Sequence, residues 1–360
     1  MPTVVQTGLR VLARKRVLAL PAALGALAAL WPDGAFALPR PTWNPGPPWA
    51  PLDPKSPEMH MISNLFWIML VLSTIVFIIV VGAIAYIIRN NSAKAGDTEP
   101  PPQIYGSRPV EITWTAIPFV ILVVAFGFTV KYIHDINTAP PGAHPLDIVA
   151  KAHQWWWEFD YPTLNITTAN EVHVPANVPL HFHVESADVI HSFWVPQLQR
   201  QIDANPGQDN AVFAEMDTPG IYGGDCYEYC GDAHAWMKFR MVVQPKGAFN
   251  AWASHMKGPA SKPSGGLALA GEKLFMSSTC VECHTIDMPG SKAGGTAAPN
   301  LTHLASRWTI GAGAARMTLG DAMGWVHQPS HFKPGVLMPG YPLLSQHQLK
   351  SLATYLMSLK

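Results

Sequence analysis

The sequence predicts a multidomain membrane protein: a two-helix transmembrane hairpin, a β-sandwich or barrel, and an all-α C-terminal domain. Three observations carry this reading. The 360 residues are 48% hydrophobic and only 13% charged, a balance far from that of an ordinary soluble chain. Two apolar runs, Met61 to Ile88 and Ile112 to Ile133, each hold about the 20 apolar residues a helix needs to cross ~30 Å of hydrocarbon. From about Asp147 the texture changes to short β-prone runs broken by Pro, Gly and Asn, and from Leu267 it turns helical.

Each element follows in order. Arg10, Arg14, Lys15 and Arg16 precede an apolar run from Val17 to Leu30 and the small-x-small triplet Ala35 to Ala37, so residues 1–37 read as a secretory signal. A third membrane helix is the alternative, but the run is short and Pro21 and Pro32 bracket its core. A Pro-rich segment, 38–58, leads into the hairpin, 59–137, with helices at about 61–88 and 112–133. Arg89, Lys94 and Arg108 give the connecting loop a basic excess, which places it in the cytoplasm and both hairpin ends outside. Runs such as "LDIVAKAHQWWWEFDY" and "EVHVPANVPLHFHVES" make 145–246 the β domain. Residues 247–265 read as a short helical piece and a Ser/Gly/Pro tether, and 266–360 as the helical domain. There Leu344 to Leu359 forms an apolar stripe behind Ser345 as N-cap. Charge is balanced, 24 basic against 24 acidic residues with no basic stripe, which excludes nucleic acid as a partner. No serine elbow or phosphate loop is present in the sequence.

Four cysteines fall into two pairs, both in the outward-facing half, where a disulfide is the ordinary expectation. Cys280, Cys283 and His284 in "CVECH" spell the C-x-x-C-H of covalent c-type haem attachment, in which two thioethers fix the porphyrin and the imidazole ligates iron. A methionine as second axial ligand raises the iron potential. Met338, in the proline-braced "KPGVLMPGYP", is the candidate, with Met288, Met317 and Met323 as competitors.

The other pair lies in "DCYEYCGDAHAWM". Cys226 and Cys230 fit a strained disulfide or, with His234, a mononuclear zinc site, but neither accounts for Met237 three residues further on. Thiolate, imidazole and thioether together make a copper ligand set, and "ADVIHSFWVP" offers His191 as the distant second imidazole. Two thiolates can bridge two copper ions, with one histidine on each, Met237 on one and the Glu228 carbonyl on the other. Such a pair spreads one electron over both metals and changes geometry little on reduction. The metal charge secures the deprotonated thiols.

With "HSFWVP" and "CYEYCGDAHAWM" after a two-helix hairpin, the chain resembles subunit II of haem–copper cytochrome c oxidase. The appended "CVECH" domain resembles the caa-type variant, in which a cytochrome c is fused to that subunit. The resemblance runs from about Met59 to Lys360 and extends to "PNLTHLASR" and "KPGVLMP". It implies a cupredoxin-like barrel with a dinuclear copper A centre, a cytochrome c domain with one haem c, and an electron-entry role in oxygen reduction with proton pumping. It implies subunits I and III and membrane lipid as partners, a periplasmic cytochrome c or similar donor, and a bacterial inner membrane with the copper and haem domains on the periplasmic side. It also implies roles for single residues: Trp155 as the point of electron entry, Glu111 at the cytoplasmic mouth of a proton pathway, and the Glu228 carboxylate toward a magnesium ion at the subunit I boundary. On chemistry alone, an interfacial aromatic belt for Trp155 to Trp157 and a solvated helix-start charge for Glu111 remain open. Gln208 departs from the family, which would carry arginine there and so unsettles the expected subunit I contact.

His181 and His183 share one strand face and are expected to be an ordinary exposed pair with no nearby acid or thiol. His303 and Arg307 are candidates for haem propionates or for the surface. Two other function classes stay open: a copper chaperone of the oxidase, which needs neither Met237 nor His191 nor a haem, and the electron-input subunit of a nitric oxide reductase.

Overall fold

The computed structural model describes residues 52–360 apart from 93–95, 97–102, 104 and 139–143. The expected signal segment, the Pro-rich stretch through residue 51, and Lys94 lie outside the described residues.

Helix α1 (Pro57–Asn90) starts where Ser56 Oγ accepts from the Met59 N–H, with proline in its first turn and Arg89 in its last. Helix α2 (Arg108–Asn137) follows Ser107, whose N–H donates to Glu111 Oε1 at 3.2 Å. Both helices are apolar on all sides and expose side chains such as Phe77 and Phe126, as a lipid-facing helix does. Thr113 and Thr129 turn their hydroxyls back onto carbonyls four residues earlier, which satisfies those two donors within the helix.

Ten strands then build two five-stranded sheets. They are β1 (Leu146–His153), β2 (Trp156–Tyr161), β3 (Ile166–Ala169), β4 (Glu171–Pro175), β5 (Pro179–Ser186), β6 (His191–Trp194), β7 (Ile202–Ala204), β8 (Asn210–Glu215), β9 (Gly220–Cys226) and β10 (Lys238–Gln244). The orders are β3-β2-β1-β5-β8 and β4-β10-β9-β6-β7. Alternate residues of β1, β2 and β5 point inward, the period-2 pattern of a half-buried sheet. Trp157, Phe159, Phe182, Phe193 and Phe239 fill the space between the sheets. Gly224 admits the Phe239 ring, since a Cβ there would stand 2.2 Å from Phe239 Cζ. Helix α3 (Lys246–Met256) packs Phe249, Ala253 and Met256 into this core, and Trp252 stacks on His173 at 4.4 Å.

The C-terminal domain comprises α4 (Gly266–Met276), α5 (Cys280–Cys283), the hairpins β11 (Thr285–Met288) with β12 (Ser291–Gly294) and β13 (Thr309–Ile310) with β14 (Ala315–Arg316), then α6 (Leu319–His327), α7 (Pro329–Phe332) and α8 (Gln346–Leu356). Ser345 and Gln348 form a reciprocal capping box that fixes the start of α8. Helix α8 crosses α4 at Gly271, where a Cβ would lie 2.0 Å from the Ser351 carbonyl oxygen. The fold class expected from the sequence, a two-helix membrane hairpin, a cupredoxin-like β domain and a helical cytochrome c domain, is the one observed.

Candidate copper centre and haem pocket

One end of the second sheet gathers the predicted copper donors. His191 opens β6 and Cys226 closes β9; Phe193 pairs with Cys226 across the ladder, which sets the histidine and the cysteine side by side. The loop after β9 returns Cys230, His234 and Met237 to the same point. The two sulfurs lie 3.8 Å apart, and all four cysteines of the chain are free thiols. His191 Nδ1 is 3.7 Å from Cys226 Sγ, and His234 Nδ1 is 3.4 Å from Cys230 Sγ. Met237 Sδ is 3.9 Å from Cys230 Sγ, and the Glu228 carbonyl oxygen is 3.2 Å from Cys226 Sγ. Cys226, Cys230, His191 and Met237 are buried, whereas the Glu228 side chain is exposed.

This set fits a thiolate-bridged metal pair. A proton donated by Cys230 pulls the Cys226 thiol down to about 4, and the resulting thiolate pushes the Cys230 thiol up. The second proton therefore leaves when a cation shares the site. Asp188 fixes the histidine: its Oδ1 lies 2.7 Å from His191 Nε2, which must carry the proton, so the Nδ1 lone pair faces Cys226. Sequence reasoning missed Asp188, although its place three residues ahead of His191 was available.

The haem motif lines a cavity of about 560 Å³. Cys280, Cys283 and His284 contribute from α5 and its end, and Met338 and Met317 also line it, while Met288 and Met323 do not. His284 Nδ1 is 2.7 Å from the Pro299 carbonyl oxygen. A carbonyl only accepts, so Nδ1 bears the proton and Nε2 is left as a ligand. Met338 Sδ accepts from Trp325 Nε1–H at 3.1 Å. Arg307 lines the cavity and its buried Nε has no protein partner, the arrangement a haem carboxylate would complete. His303 is placed elsewhere, with Nε2 on the Gly258 carbonyl at 2.9 Å. The residues present therefore fit a covalent haem.

The β domain closes this cavity. Gln154, Trp155, Trp156 and Asn170 form part of its wall. Trp155 Nε1–H donates to the Cys230 carbonyl at 2.9 Å, so one indole touches both the haem cavity and the copper loop. Buried Lys333 reaches across from the cytochrome domain and donates through Nζ to the carbonyls of Trp155 and Gly311; burial pushes it down to about 7 against the pull of Cys230. Buried Glu171 accepts from the Trp308 N–H at 2.8 Å, and Arg240 donates to Thr309 Oγ1 at 3.1 Å. Gly335, with φ +85°, packs where a Cβ would come within 2.8 Å of Asp232 Cβ. None of these contacts between the domains was foreseen. Glu111 sits exposed in the first turn of α2, and Gln208 is exposed in the loop before β8.

The expected isolation of His181 and His183 is overturned. Asp147 Oδ1 lies 3.0 Å from His181 Nδ1, and Asp209 Oδ2 lies 2.8 Å from His183 Nδ1. Parallel pairing sets Asp147 directly opposite His181 across 34 residues of chain, a proximity no local pattern reveals.

Known proteins place the chain. Family models match in three segments: the transmembrane domain of cytochrome c oxidase subunit II over residues 52–130, its periplasmic domain over 162–245, and cytochrome c over 268–360. Cytochrome c oxidase subunit 2 of Alkalihalophilus pseudofirmus is 33% identical over 313 residues, covering 86% of this chain and 90% of that one. The Bacillus subtilis protein of the same name is 32% identical over 76% of this chain and 81% of its own. The periplasmic domain of Bradyrhizobium japonicum cytochrome oxidase subunit II is a solved structure at 32% identity, covering 32% of this chain and 96% of that one, with a TM-score of 0.31. The class so defined is a two-pass membrane subunit of a haem–copper oxidase, an oxidoreductase whose subunit II partners with subunit I. The chain belongs to the cytochrome c oxidase subunit II family, with a cytochrome c domain at its C-terminal end; the two domains imply copper A and haem c.

Proposed function

We propose that the chain is a one-way electron relay, from a periplasmic cytochrome c or similar donor, through haem c and a two-copper centre, to the haem of subunit I. The observation that carries the reading is the double contact of Trp155, whose ring lines the haem cavity while its N–H holds the Cys230 carbonyl. Bound haem and copper supply one-electron redox chemistry; the chain's own residues do the rest. Cys280 and Cys283 would hold the porphyrin, and His284 and Met338 would ligate its iron. Two coppers would be held by the thiolates of Cys226 and Cys230, the imidazoles of His191 and His234, the Met237 thioether and the Glu228 carbonyl. Burial of the thiols keeps water out and the reorganisation small. Asp188 holds the proton of His191 away from the metal, and the hydrogen bond to Trp155 fixes the copper loop against the haem wall.

In the assembled enzyme the loop between α1 and α2 faces the cytoplasm, the two redox domains face the periplasm of a bacterial inner membrane, and residues 1–37 are removed on export. Subunit I reduces oxygen to water and pumps protons, with Glu111 at the mouth of one proton path, the Glu228 carboxylate on a magnesium ion at the boundary, and subunit III completing the complex. The test is copper and haem stoichiometry of the full chain together with near-infrared absorption and electron paramagnetic resonance. Two coppers sharing one unpaired electron and one covalent haem per chain are expected. Haem without a mixed-valence copper pair in a folded chain overturns the relay.

A further inference from the structure

We propose that Asp147, His181 and His183, buttressed by Asp209, form a second transition-metal site on the outer face of the β1–β5 ladder, independent of the copper and haem centres. One potential ligand atom from each of Asp147, His181 and His183 lies within 4.8 Å of the other two. Asp147 Oδ1 is 3.0 Å from His181 Nδ1 and 3.7 Å from His183 Nε2. These separations bracket the roughly 3.3 Å between donors that a tetrahedral shell with ~2.0 Å bonds requires.

The ring orientations aim the donor atoms at a shared point. Asp209 Oδ2 accepts from His183 Nδ1 at 2.8 Å. That contact turns the other ring nitrogen, Nε2, toward the Asp147 carboxylate, 3.7 Å away. With a metal between Nε2 and Asp147, Asp209–His183–metal is the carboxylate–histidine–metal arrangement that fixes a ligating imidazole. Phe213 stacks on His181 at 4.4 Å and 9°, which holds that ring in plane. The three ligands stand on two hydrogen-bonded strands, Asp147 opposite His181 and His183 two residues on, so the site is rigid before anything binds. Two imidazoles and a carboxylate suit zinc or copper(II) over magnesium or calcium. The two carboxylates balance a divalent charge, and the half-exposed side chains leave a coordination position for water. Zinc is the ion of choice for testing, because it does not overlap the copper signals.

The experiment is equilibrium dialysis of the full chain, carrying its own copper and haem, against buffered zinc, with bound metal counted by mass spectrometry. Wild type should take up one zinc equivalent that both His181→Ala and His183→Ala lack. Asp209→Asn should keep the stoichiometry and weaken binding about 10–100-fold. Because the readout is a difference between wild type and variants, zinc taken by the cysteine loop drops out, and failure of the relay reading leaves the result unaffected. Circular dichroism and thermal melting of each variant confirm the fold. Equal zinc uptake by wild type and by folded His181→Ala and His183→Ala overturns the site, as does no uptake by wild type.

Discussion

The copper loop and the haem pocket solve the same problem, holding a redox group still, by opposite means. Most of the proposed copper donors come from one loop: five of the six, counting the Glu228 carbonyl, lie from Cys226 to Met237, with His191 on β6 the sixth, and the sulfurs and imidazoles already stand within 3.4 to 3.9 Å of a neighbour. The haem pocket is a shared space, walled on one side by the cytochrome domain and on the other by Trp155, Trp156 and Asn170 of the barrel. A site built mainly from one loop depends on local chemistry, whereas a site built between domains depends on how tightly those domains dock.

The sharpest break between the two is Cys226→Ser, which should abolish copper binding and leave the covalent haem intact, as metal analysis and the haem spectrum will report. Copper retained at full stoichiometry would end the bridging assignment. Met338→Ala should change the haem spectrum and lower the potential without touching copper. An unchanged spectrum would pass the axial role to Met317, the competitor that shares the cavity. Asp188→Asn should weaken copper binding about 10–100-fold, in line with loss of a partner that orients a ligand, and leave haem unaffected.

Acid should also separate the regions. Burial lowers His173 to about 4 in the folded barrel, below the ordinary 6.5. The unfolded chain then binds the extra proton between those values, so the barrel loses stability as pH falls from 6.5 to 4, by about 3 kcal/mol at most. Calorimetric melts of wild type and His173→Gln across that window should converge at low pH; parallel curves would remove His173 as the cause. The smallest expected effect is Lys333→Met, which leaves the carbonyls of Trp155 and Gly311 without their donor. It should weaken domain docking by about 1–3 kcal/mol and slow electron transfer from haem to copper, with both centres intact. Flash-induced electron transfer within the chain measures this directly.

What could be read from the sequence follows the same division. The Cys226–Met237 cluster and the C-x-x-C-H motif could be picked out because their residues recur at short, chemically specific spacings, and His191 joined the first on ligand chemistry alone. Asp188 lay within that reach and was overlooked. Lys333, the Glu171 contact with Trp308, and the four-residue cluster around His183 were not legible, because each depends on strand register or domain docking between residues far apart in the chain. Trp155 fell between these cases: family resemblance pointed to it, but only the fold brings its ring to the haem cavity and its N–H to Cys230.

Gly335 acts as a shim of zero thickness. Its left-handed backbone and the 2.8 Å approach of Asp232 leave no room for even a methyl group. Any side chain there would wedge the cytochrome domain away from the copper loop, and electron tunnelling falls off exponentially with gap width. If electrons pass as proposed, the gap they cross is thus held narrow partly by a residue that carries no charge, binds no metal and has no side chain at all.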